Sequence, residues 1–171
     1  MIRRATIADA AALATLCGQV QQLHVDHRRD VFVPAEHETL AAWFRAQLGQ
    51  STNRAWIAEQ DGAAVAYAYV TFQERPPTPF TSPMHWVEIV QVGVDAAHRR
   101  QGCARALIQT VIADARRQGI HDIRLKTWAF NAEAQAAFHQ LGFRPRTLEF
   151  GLEPNDSLLL DEPKAFPPDG R

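Results

Sequence analysis

The fold of this chain is decided by one short stretch, His98-Arg99-Arg100-Gln101-Gly102-Cys103-Ala104. The segment before it, residues 86–94, is apolar and rich in β-branched side chains, which predicts a strand. After it, apolar residues recur at the spacing of one α-helical face, at Ala104, Leu107, Ile108, Val111, Ile112 and Ala115. A strand therefore leads through a turn of Arg and Gly directly into a helix.

This turn has the features of a phosphate-binding loop. The first N–H groups of a helix have no partner within the helix, and the helix dipole and nearby arginines add positive charge. Gly102 and the small Ala104 let the backbone approach an anion closely. The stretch lacks the Lys-Ser/Thr ending of a P-loop and the three glycines of a dinucleotide fingerprint, so the loop belongs to neither class.

Composition and charge limit the classes of partner. The 171 residues suit one domain, and a formal net charge of −1 gives no bulk attraction to nucleic acid or to an acidic membrane. No apolar run approaches the length of a membrane span, and the first residues do not resemble a signal peptide. Cys17 and Cys103 lack the spacing of a zinc or redox motif. We therefore expect a cytoplasmic protein with reduced thiols and neither nucleic acid nor membrane as a partner.

The hydrophobic pattern predicts one α/β domain with the element order β-α-α-β-β-β-α-β-α-β-β. We expect helices over about 11–20 and 35–48, a hairpin turn at Asp61-Gly62, and a strand over 122–128 parallel to the strand at 86–94. Residues 23–34 and 76–83 are predicted to be irregular. Asn131 caps a short last helix that Gly142 ends, and residues 143–152 form a final strand or hairpin.

The predicted boundaries are a domain over 1–153 and an irregular, proline-rich C-terminal tail over 154–171. The tail carries three consecutive leucines at 158–160. This apolar triplet can dock on the domain or on a partner, which leaves a homodimer open.

Three segments together resemble the GCN5-related N-acetyltransferase (GNAT) superfamily, over about residues 2–152. The pattern Arg99-x-x-Gly102-x-Ala104 is similar to the acyl-CoA pyrophosphate loop of that family. Residues 88–94 resemble its central strand, and Asn131 followed by a helix and Gly142-Phe143 resembles its last motif. The resemblance implies a single-domain fold with a mixed central sheet, split between its fourth and fifth strands and flanked by helices.

By this resemblance the co-substrate is acetyl-CoA, bound in the split between the strands at 86–94 and 122–128. Its pyrophosphate is held by backbone N–H groups of the loop residues Arg99, Arg100, Gln101, Gly102, Cys103 and Ala104. The pantetheine arm pairs with the backbone near Val92 and Val94, and Asn131 and Phe138 approach the cofactor from the last helix. Gly93 either marks the β-bulge that such a split needs or only makes room for a tryptophan.

Glu88 stands where histone-modifying members of the family carry their general base. A lysine-like amine, with a pKa of about 10.4, must lose a proton before it can attack a thioester. Simple alternation places Glu88 on one face with Val90, Val92 and Val94, so it lines a wet cleft or has a partner. Two roles therefore stay open: a base acting directly or through water, and a structural ion pair or solvent-facing carboxylate. The resemblance makes the N–H of Val92 the oxyanion donor.

Phe138 stands where many family members have a tyrosine that protonates the leaving thiolate. Because a free thiol has a pKa of about 8.5, CoA thiolate can leave with water as the proton donor. Tyr67, Tyr69 and His139 are the other candidate acids. The implied function is direct acetyl transfer in a ternary complex to a primary amine of a small molecule, an amino acid derivative, a peptide or a protein. The alternative is a catalytically weak acyl-CoA-binding regulatory module.

The acceptor site is expected in the two irregular segments, residues 23–34 and 76–83. His24 and His27 have a His-x-x-His spacing with Asp30 nearby, but no third well-placed ligand accompanies them. We therefore expect a solvated polar loop there and no metal.

Overall fold

The computed structural model describes residues 1–151, which form a five-stranded sheet with helices on both faces. The elements in chain order are β1 (Ile2–Arg4), α1 (Ala10–His27), α2 (His37–Leu48), β2 (Asn53–Gln60), β3 (Ala63–Arg75), β4 (Met84–Val94), α3 (Cys103–Arg117), β5 (Asp122–Leu125) and α4 (Ala132–Gln140). Strands β1 to β4 pair in chain order and antiparallel, and β5 pairs with β4 in parallel. The predicted α/β class and mixed sheet are confirmed. The boundary at 153 and the tail over 154–171 lie outside the described residues.

Two apolar clusters hold the layers together, one on each face of the sheet. On one face α1 and α2 cover β3 through buried residues that include Leu13, Leu16, Phe44, Tyr67 and Tyr69. On the other face α3 covers β3 and β4 through Val70, Val87, Ile89, Leu107, Ile108 and Val111. The helical periodicity after residue 103 therefore predicts the buried face of α3 correctly. None of the helices within residues 1–151 combines the length and the hydropathy needed for a membrane span.

The hairpin turn forms where the sequence predicts it, and a glycine also ends α3. Asp61 and Gly62 have φ values of 50° and 78°, and positive φ at both central residues is the backbone of a tight hairpin turn between β2 and β3. After α3, Gly119 (φ 75°) donates to the C=O of Arg116, and Ile120 donates to Ala115. This paired arrangement is a Schellman cap, in which a glycine in left-handed conformation ends the helix.

Gly142 and Phe143 end α4 in the same way. Gly142 (φ 93°) donates to the C=O of His139, and Phe143 donates to the C=O of Phe138 at 3.0 Å. The cap turns Phe143 back onto the helix, and its ring lies 6.2 Å from the ring of Phe138. The Gly-Phe pair is thus a helix stop with its accompanying apolar contact.

The β-bulge of β4 lies at Val90, so the prediction that Gly93 marks it is wrong. Tyr69 pairs with Gln91 and Val70 pairs with Ile89, which leaves Val90 without a partner on β3. An extra residue reverses the alternation of side chains beyond it. The predicted face shared by Glu88, Val90, Val92 and Val94 is therefore wrong as well.

The register shows which residues share each face of β4. Glu88, Gln91 and Gly93 pair with Thr71, Tyr69 and Tyr67 and lie on the side of α1 and α2. Val92 and Val94 join Val87 and Ile89 on the side of α3. The bulge thus keeps Glu88 out of the apolar face that alternation predicts for it.

Gly93 makes room for a side chain, and that side chain is Tyr67 rather than a tryptophan. A Cβ at residue 93 would overlap Cε1 of Tyr67 and lie 3.0 Å from Cγ2 of Val20. Tyr67 is fully buried, so its ring has no room to move aside. A glycine is required at this position by the close approach of β3 and α1.

Three other predicted elements differ in the structure. Helix α1 continues to His27 instead of giving way to an irregular segment at 23, because Val25 is buried and the rings of His24 and His27 contact carbonyl groups one turn back. Strand β5 ends at Leu125 rather than 128, because its partner strand β4 bends at Val90. The part of the predicted final strand that the structure describes, 143–151, has no strand. Pro145 has no N–H to donate there, and Leu148 and Phe150 are exposed.

Gly93→Ala tests the close packing of β4. The added methyl group overpacks a buried site, so we expect the free energy of unfolding to fall by about 1–3 kcal/mol in urea titrations. Gly18→Ala is the matched control, because a Cβ at residue 18 in α1 meets nothing within 4 Å. That change should raise stability by about 0.5–1 kcal/mol through helix propensity. Equal stability of the two variants would contradict the role of Gly93.

Candidate functional site

A cleft opens in the sheet where β4 and β5 separate. Residues Trp86 to Ile89 pair with Asp122 to Leu125, and the pairing ends there. From Val90 to Val94, the edge of β4 that faces away from β3 has no strand beside it within residues 1–151. Backbone groups on such an edge can pair with another extended chain. Val92 and Val94, which the family resemblance assigns to the pantetheine arm, both lie on this open edge.

The closed end of the cleft is held by Asp122 and Arg124. The Asp122 carboxylate accepts hydrogen bonds from Arg124 and Arg146, both at 2.6 Å. The guanidinium of Arg124 also lies 4.3 Å from the centroid of the Trp86 ring on β4. Hydrogen bonding to Arg124, and then to Arg146, lowers the pKa of Asp122 below its ordinary value. These contacts tie β5 to β4 over the short segment where the two strands pair, before they diverge after Ile89 and Leu125.

The open end of the cleft leads to the loop at residues 99–104, which the structure places at the start of α3 as predicted. Gly102 has φ 84°, and its C=O accepts the N–H of Ala106 at 3.0 Å. The N–H groups of Cys103, Ala104 and Arg105 precede this first helical bond and have no acceptor within the helix. They form a set of donors at the positive end of the helix dipole, suited to an anion.

Side chains of the loop also support its backbone. Nε of Arg99 donates to the C=O of Val94 at 3.3 Å, and Nε2 of Gln101 donates to the C=O of Ala97 at 3.2 Å. Arg100 is exposed and has φ 61°, a left-handed conformation that is uncommon for a residue with a side chain. The loop therefore combines two left-handed residues, Arg100 and Gly102, before the helix.

Asp95 organises the approach to this loop, and sequence reasoning missed it. Its carboxylate accepts the N–H of Ala97 at 3.0 Å and contacts Nδ1 of His98 at 2.9 Å. It also accepts Nε2 of Gln19 at 2.8 Å, while Oε1 of Gln19 accepts the N–H of Ala96 at 3.1 Å. An Asp that follows a strand and bonds the amide two residues on is a recognisable turn signal. The contribution of Gln19, from α1, has no such local signal.

Glu88 lies beside the point where the strands separate. Its side chain is 24% exposed, and Oε1 lies 3.4 Å from Nζ of Lys126, the first residue after β5. The carboxylate is thus partly exposed to solvent and has a cationic partner beside it. Both roles left open by the sequence, base and ion-pair partner, are compatible with this position.

Asn131 begins α4, and Phe138 packs this helix against α3. Oδ1 of Asn131 accepts the N–H of Ala134 at 3.1 Å, which confirms the predicted helix cap. Phe138 is half-buried and lines a small apolar cleft between α4 and α3, together with Ala104 and Ile108. Its ring therefore lies against the first turn of the helix that follows the loop.

The two tyrosines belong to the core. The hydroxyl of Tyr67 donates to Oε1 of Gln91 at 3.0 Å, and that of Tyr69 donates to Oε1 of Gln47 at 3.1 Å. Burial raises the pKa of both tyrosines above the ordinary value. Both rings face α1 and α2, away from α3. His139 is exposed on α4.

The segment predicted to contact the acceptor packs against residues 128–130. The ring of His27 stacks on Phe130 at 4.4 Å, Phe32 contacts Trp128 at 5.4 Å, and Arg28 lies 5.1 Å from the Trp128 ring centroid. The loop at 76–83 is exposed, apart from the half-covered Thr81. In the part of the chain that the structure describes, no group of three or more His, Cys, Asp or Glu side chains is placed to hold a metal ion.

A family model described as the acetyltransferase (GNAT) family matches residues 20–143, more than half of the chain. N-acetyltransferase 8 of Rattus norvegicus is 29% identical over 108 residues, which are 63% of this chain and 47% of that protein. The chain thus spans about half the length of the curated relatives it matches.

Solved structures share the fold. A tetramutant of the BH1408 protein from Bacillus halodurans is 25% identical and superimposes with a TM-score of 0.85 over 90% of this chain and 99% of that chain. The aminoglycoside N-acetyltransferase AAC(6')-Iy, solved in complex with CoA, is 19% identical with a TM-score of 0.71, over 90% of this chain and 94% of that one. At that identity the second likeness concerns the fold alone.

The anchoring of the loop by Asp95 predicts a pH dependence of stability. Hydrogen bonds from Gln19, then His98 and the N–H of Ala97, lower the pKa of Asp95 to about 2 from an ordinary 3.8. A lowered pKa stabilises the fold above the ordinary value, and this contribution is lost as the pH falls through about 2. We expect Asp95→Asn to have a lower free energy of unfolding than the wild type at neutral pH. In urea titrations this difference should shrink as the pH falls from the ordinary pKa of 3.8 to about 2.

Gln19→Ala is the control for this experiment, because it removes the largest cause of the lowered pKa. In its background, the effect of Asp95→Asn should depend less on pH. A difference between wild type and Asp95→Asn that stays constant from neutral pH to pH 2 would contradict the anchoring role.

Proposed function

The chain belongs to the GNAT family of acetyltransferases, and from this premise we propose that it transfers an acetyl group from acetyl-CoA to a primary amine. The observation that carries the proposal is the separation of β4 from β5 at Val90, which leads along an open strand edge to the start of α3. The extended pantetheine arm of acetyl-CoA, with the charged diphosphate at one end, matches both parts of this cleft. The names of the relatives, N-acetyltransferases, support the same chemistry.

We propose that the diphosphate of acetyl-CoA binds the loop residues 99–104. The N–H groups of Cys103, Ala104 and Arg105 supply donors, and the exposed Arg100 adds charge. A Cβ on Gly102 would meet no protein atom within 4 Å, so the space beside the loop is open to a ligand. The pantetheine arm pairs with the edge of β4 near Val92 and Val94, and Asn131 and Phe138 contact it from α4.

We propose that Glu88 takes the proton from the acceptor amine, directly or through water. The carboxylate lies at the cleft and remains partly exposed, so an incoming amine can replace Lys126 beside it. The neutral amine then attacks the acetyl carbon in a ternary complex, and the developing oxyanion accepts a hydrogen bond from the N–H of Val92. Removal of the proton and stabilisation of the oxyanion are the two tasks assigned to protein groups.

Protonation of the leaving thiolate needs no side chain in this proposal. Phe138 has no proton to give, and the hydroxyls of Tyr67 and Tyr69 already donate to glutamines in the core. Burial holds the pKa of both tyrosines above the ordinary value, so both hydroxyls keep their protons. Both side chains, however, face α1 and α2, on the side of the sheet away from α3. Water at the open cleft is therefore the proposed proton donor.

The proposed acceptor side of the cleft is the aromatic wall of His27, Phe32, Trp128 and Phe130. The centroids of neighbouring rings in this wall are 4.4–6.1 Å apart. Such a wall suits an amine carried on an apolar or aromatic body. Small amines, amino acid derivatives and peptide or protein amines all remain in the proposed acceptor class.

A thiol-release screen tests the proposed function. The protein is mixed with acetyl-CoA and a panel of primary amines, and free CoA thiol is measured over time. An acetyltransferase releases thiol when its acceptor is added. A protein that binds acetyl-CoA in calorimetry but releases no thiol with any amine would instead be an acyl-CoA-binding module.

Gly102→Val tests the assignment of the phosphate loop. A branched side chain blocks close approach of an anion to the backbone, so we expect acetyl-CoA binding to fall below detection in calorimetry. Gly62→Val is the matched control, since Gly62 has a similar φ of 78° and an equally open Cβ position, but lies in the β2–β3 turn. Both variants carry a strain of about 1–2 kcal/mol. Loss of binding in both, or in neither, would contradict the assignment.

Glu88→Gln tests the proposed base. Glutamine keeps the shape of the side chain but does not accept the proton, so turnover with a confirmed amine should fall by about 100- to 10,000-fold. Acetyl-CoA affinity should stay unchanged, because Glu88 is not assigned to the cofactor. Wild-type turnover at neutral pH would return Glu88 to a structural ion pair with Lys126.

A further inference from the structure

Lysine is rare in this chain, and one lysine lies at the cleft. Of the 18 Lys and Arg residues only two are lysines, Lys126 and Lys164. Lys126 directly follows β5, at the point where β5 ends and β4 bends away. Its Nζ lies 3.4 Å from Oε1 of Glu88, and its side chain is 88% exposed.

A gain in folding stability is a poor explanation for the presence of a lysine beside Glu88. An exposed lysine pays side-chain entropy to stay in one geometry, and water and salt screen the attraction, so such pairs add little. Arginine forms better ion pairs at fixed geometry, and Arg124 and Arg146 fill that role at Asp122. The property that lysine has and arginine lacks is an amine that becomes a nucleophile when it loses a proton.

We propose that Lys126 is a self-acetylation site of this protein. The inference rests on the proposed function, because it uses the same base and the same bound acetyl-CoA. Lys126 presents a primary amine beside Glu88 in the position that an external acceptor amine would take. Its exposed side chain is free to turn from Glu88 into the cleft along the open edge of β4.

The reaction balances without a further reactant. Glu88 accepts one proton from the Lys126 ammonium group, and the neutral nitrogen attacks the acetyl carbon. A C–N bond forms as the C–S bond of the thioester breaks, and the CoA thiolate leaves and takes up a proton. The second proton on nitrogen is released when the amide forms. The product carries no charge at residue 126, so the ion pair with Glu88 is lost.

The test measures acetylation of the two lysines in the same molecule. Wild-type protein is incubated with isotopically labelled acetyl-CoA and no added amine, and peptide mass spectrometry follows Lys126 and Lys164. A synthetic peptide of residues 122–130, incubated with the same acetyl-CoA, reports the uncatalysed rate at Lys126, and Lys164 is followed as the second lysine of the chain. We expect Lys126 to react on the order of 100-fold faster, the gain that general-base catalysis commonly gives. The rate should be independent of protein concentration, because the step occurs within one chain.

Three variants serve as controls. Glu88→Gln should slow acetylation of Lys126 to the rate of the peptide, with circular dichroism confirming that the fold is retained. Lys164→Arg should leave acetylation of Lys126 unchanged. Lys126→Arg should remove the label at residue 126 and leave any label at Lys164 unchanged, which confirms the site.

The outcomes separate this inference from the proposed function. Equal rates at Lys126 in the protein and in the peptide, with a wild-type protein that releases thiol with an external amine, overturn self-acetylation and leave the function standing. A rate at Lys126 that rises with protein concentration overturns the step within one chain. Absence of acetyl-CoA binding in calorimetry overturns the proposed function, and the inference with it.

Discussion

The architecture of the site depends on one extra residue in β4. Val90 has no partner on β3, and it follows directly on Ile89, the last residue of β4 that pairs with β5. A bulge bends its strand and increases the local twist, so two strands that begin in parallel register diverge. The cleft, the open backbone edge beyond it and the direction in which β4 enters the loop all follow from this bend.

Side chains on the α1 face of the sheet hold the bent strand in place. The Tyr67 ring occupies the space left by Gly93, and its hydroxyl donates to Gln91, the first paired residue after the bulge. The thiol of Cys17 on α1 donates to the same Gln91 oxygen at 3.6 Å. Since Tyr67 and Cys17 are buried, the shape of the cleft is set by packing of the core against α1.

The bulge also sorts polar from apolar side chains. Beyond it, Val92 and Val94 face α3 with Val87 and Ile89, while Gln91 faces α1 with Glu88. A strand with strict alternation would place either the valines or the carboxylate on the wrong face, and an unpaired buried carboxylate is costly. One inserted residue thus lets the same strand turn its valines toward the apolar core under α3 and its carboxylate toward the polar cleft.

Much of this protein is determined by local sequence. The period of apolar residues after Cys103 identifies α3 and its buried face, Asp61-Gly62 identifies the β2–β3 turn, and Asn131 and Gly142 identify the ends of α4. These features depend on interactions between residues a few positions apart, such as helical hydrogen bonds and the left-handed conformations that glycine adopts. The loop at 99–104 is recognised for the same reason, because a strand, a glycine and a helix follow each other directly.

Only the tertiary structure decided where β4 bends and what surrounds Glu88. The position of a bulge is a property of register between two strands: the glycine in β4 suggests residue 93, whereas the pairing with β3 places the bulge at Val90. Likewise, the contacts of Glu88 with Lys126 and of Asp95 with Gln19 join residues 38 and 76 positions apart. Contacts at such separations arise when packing brings distant segments together, so no local pattern of side chains specifies them.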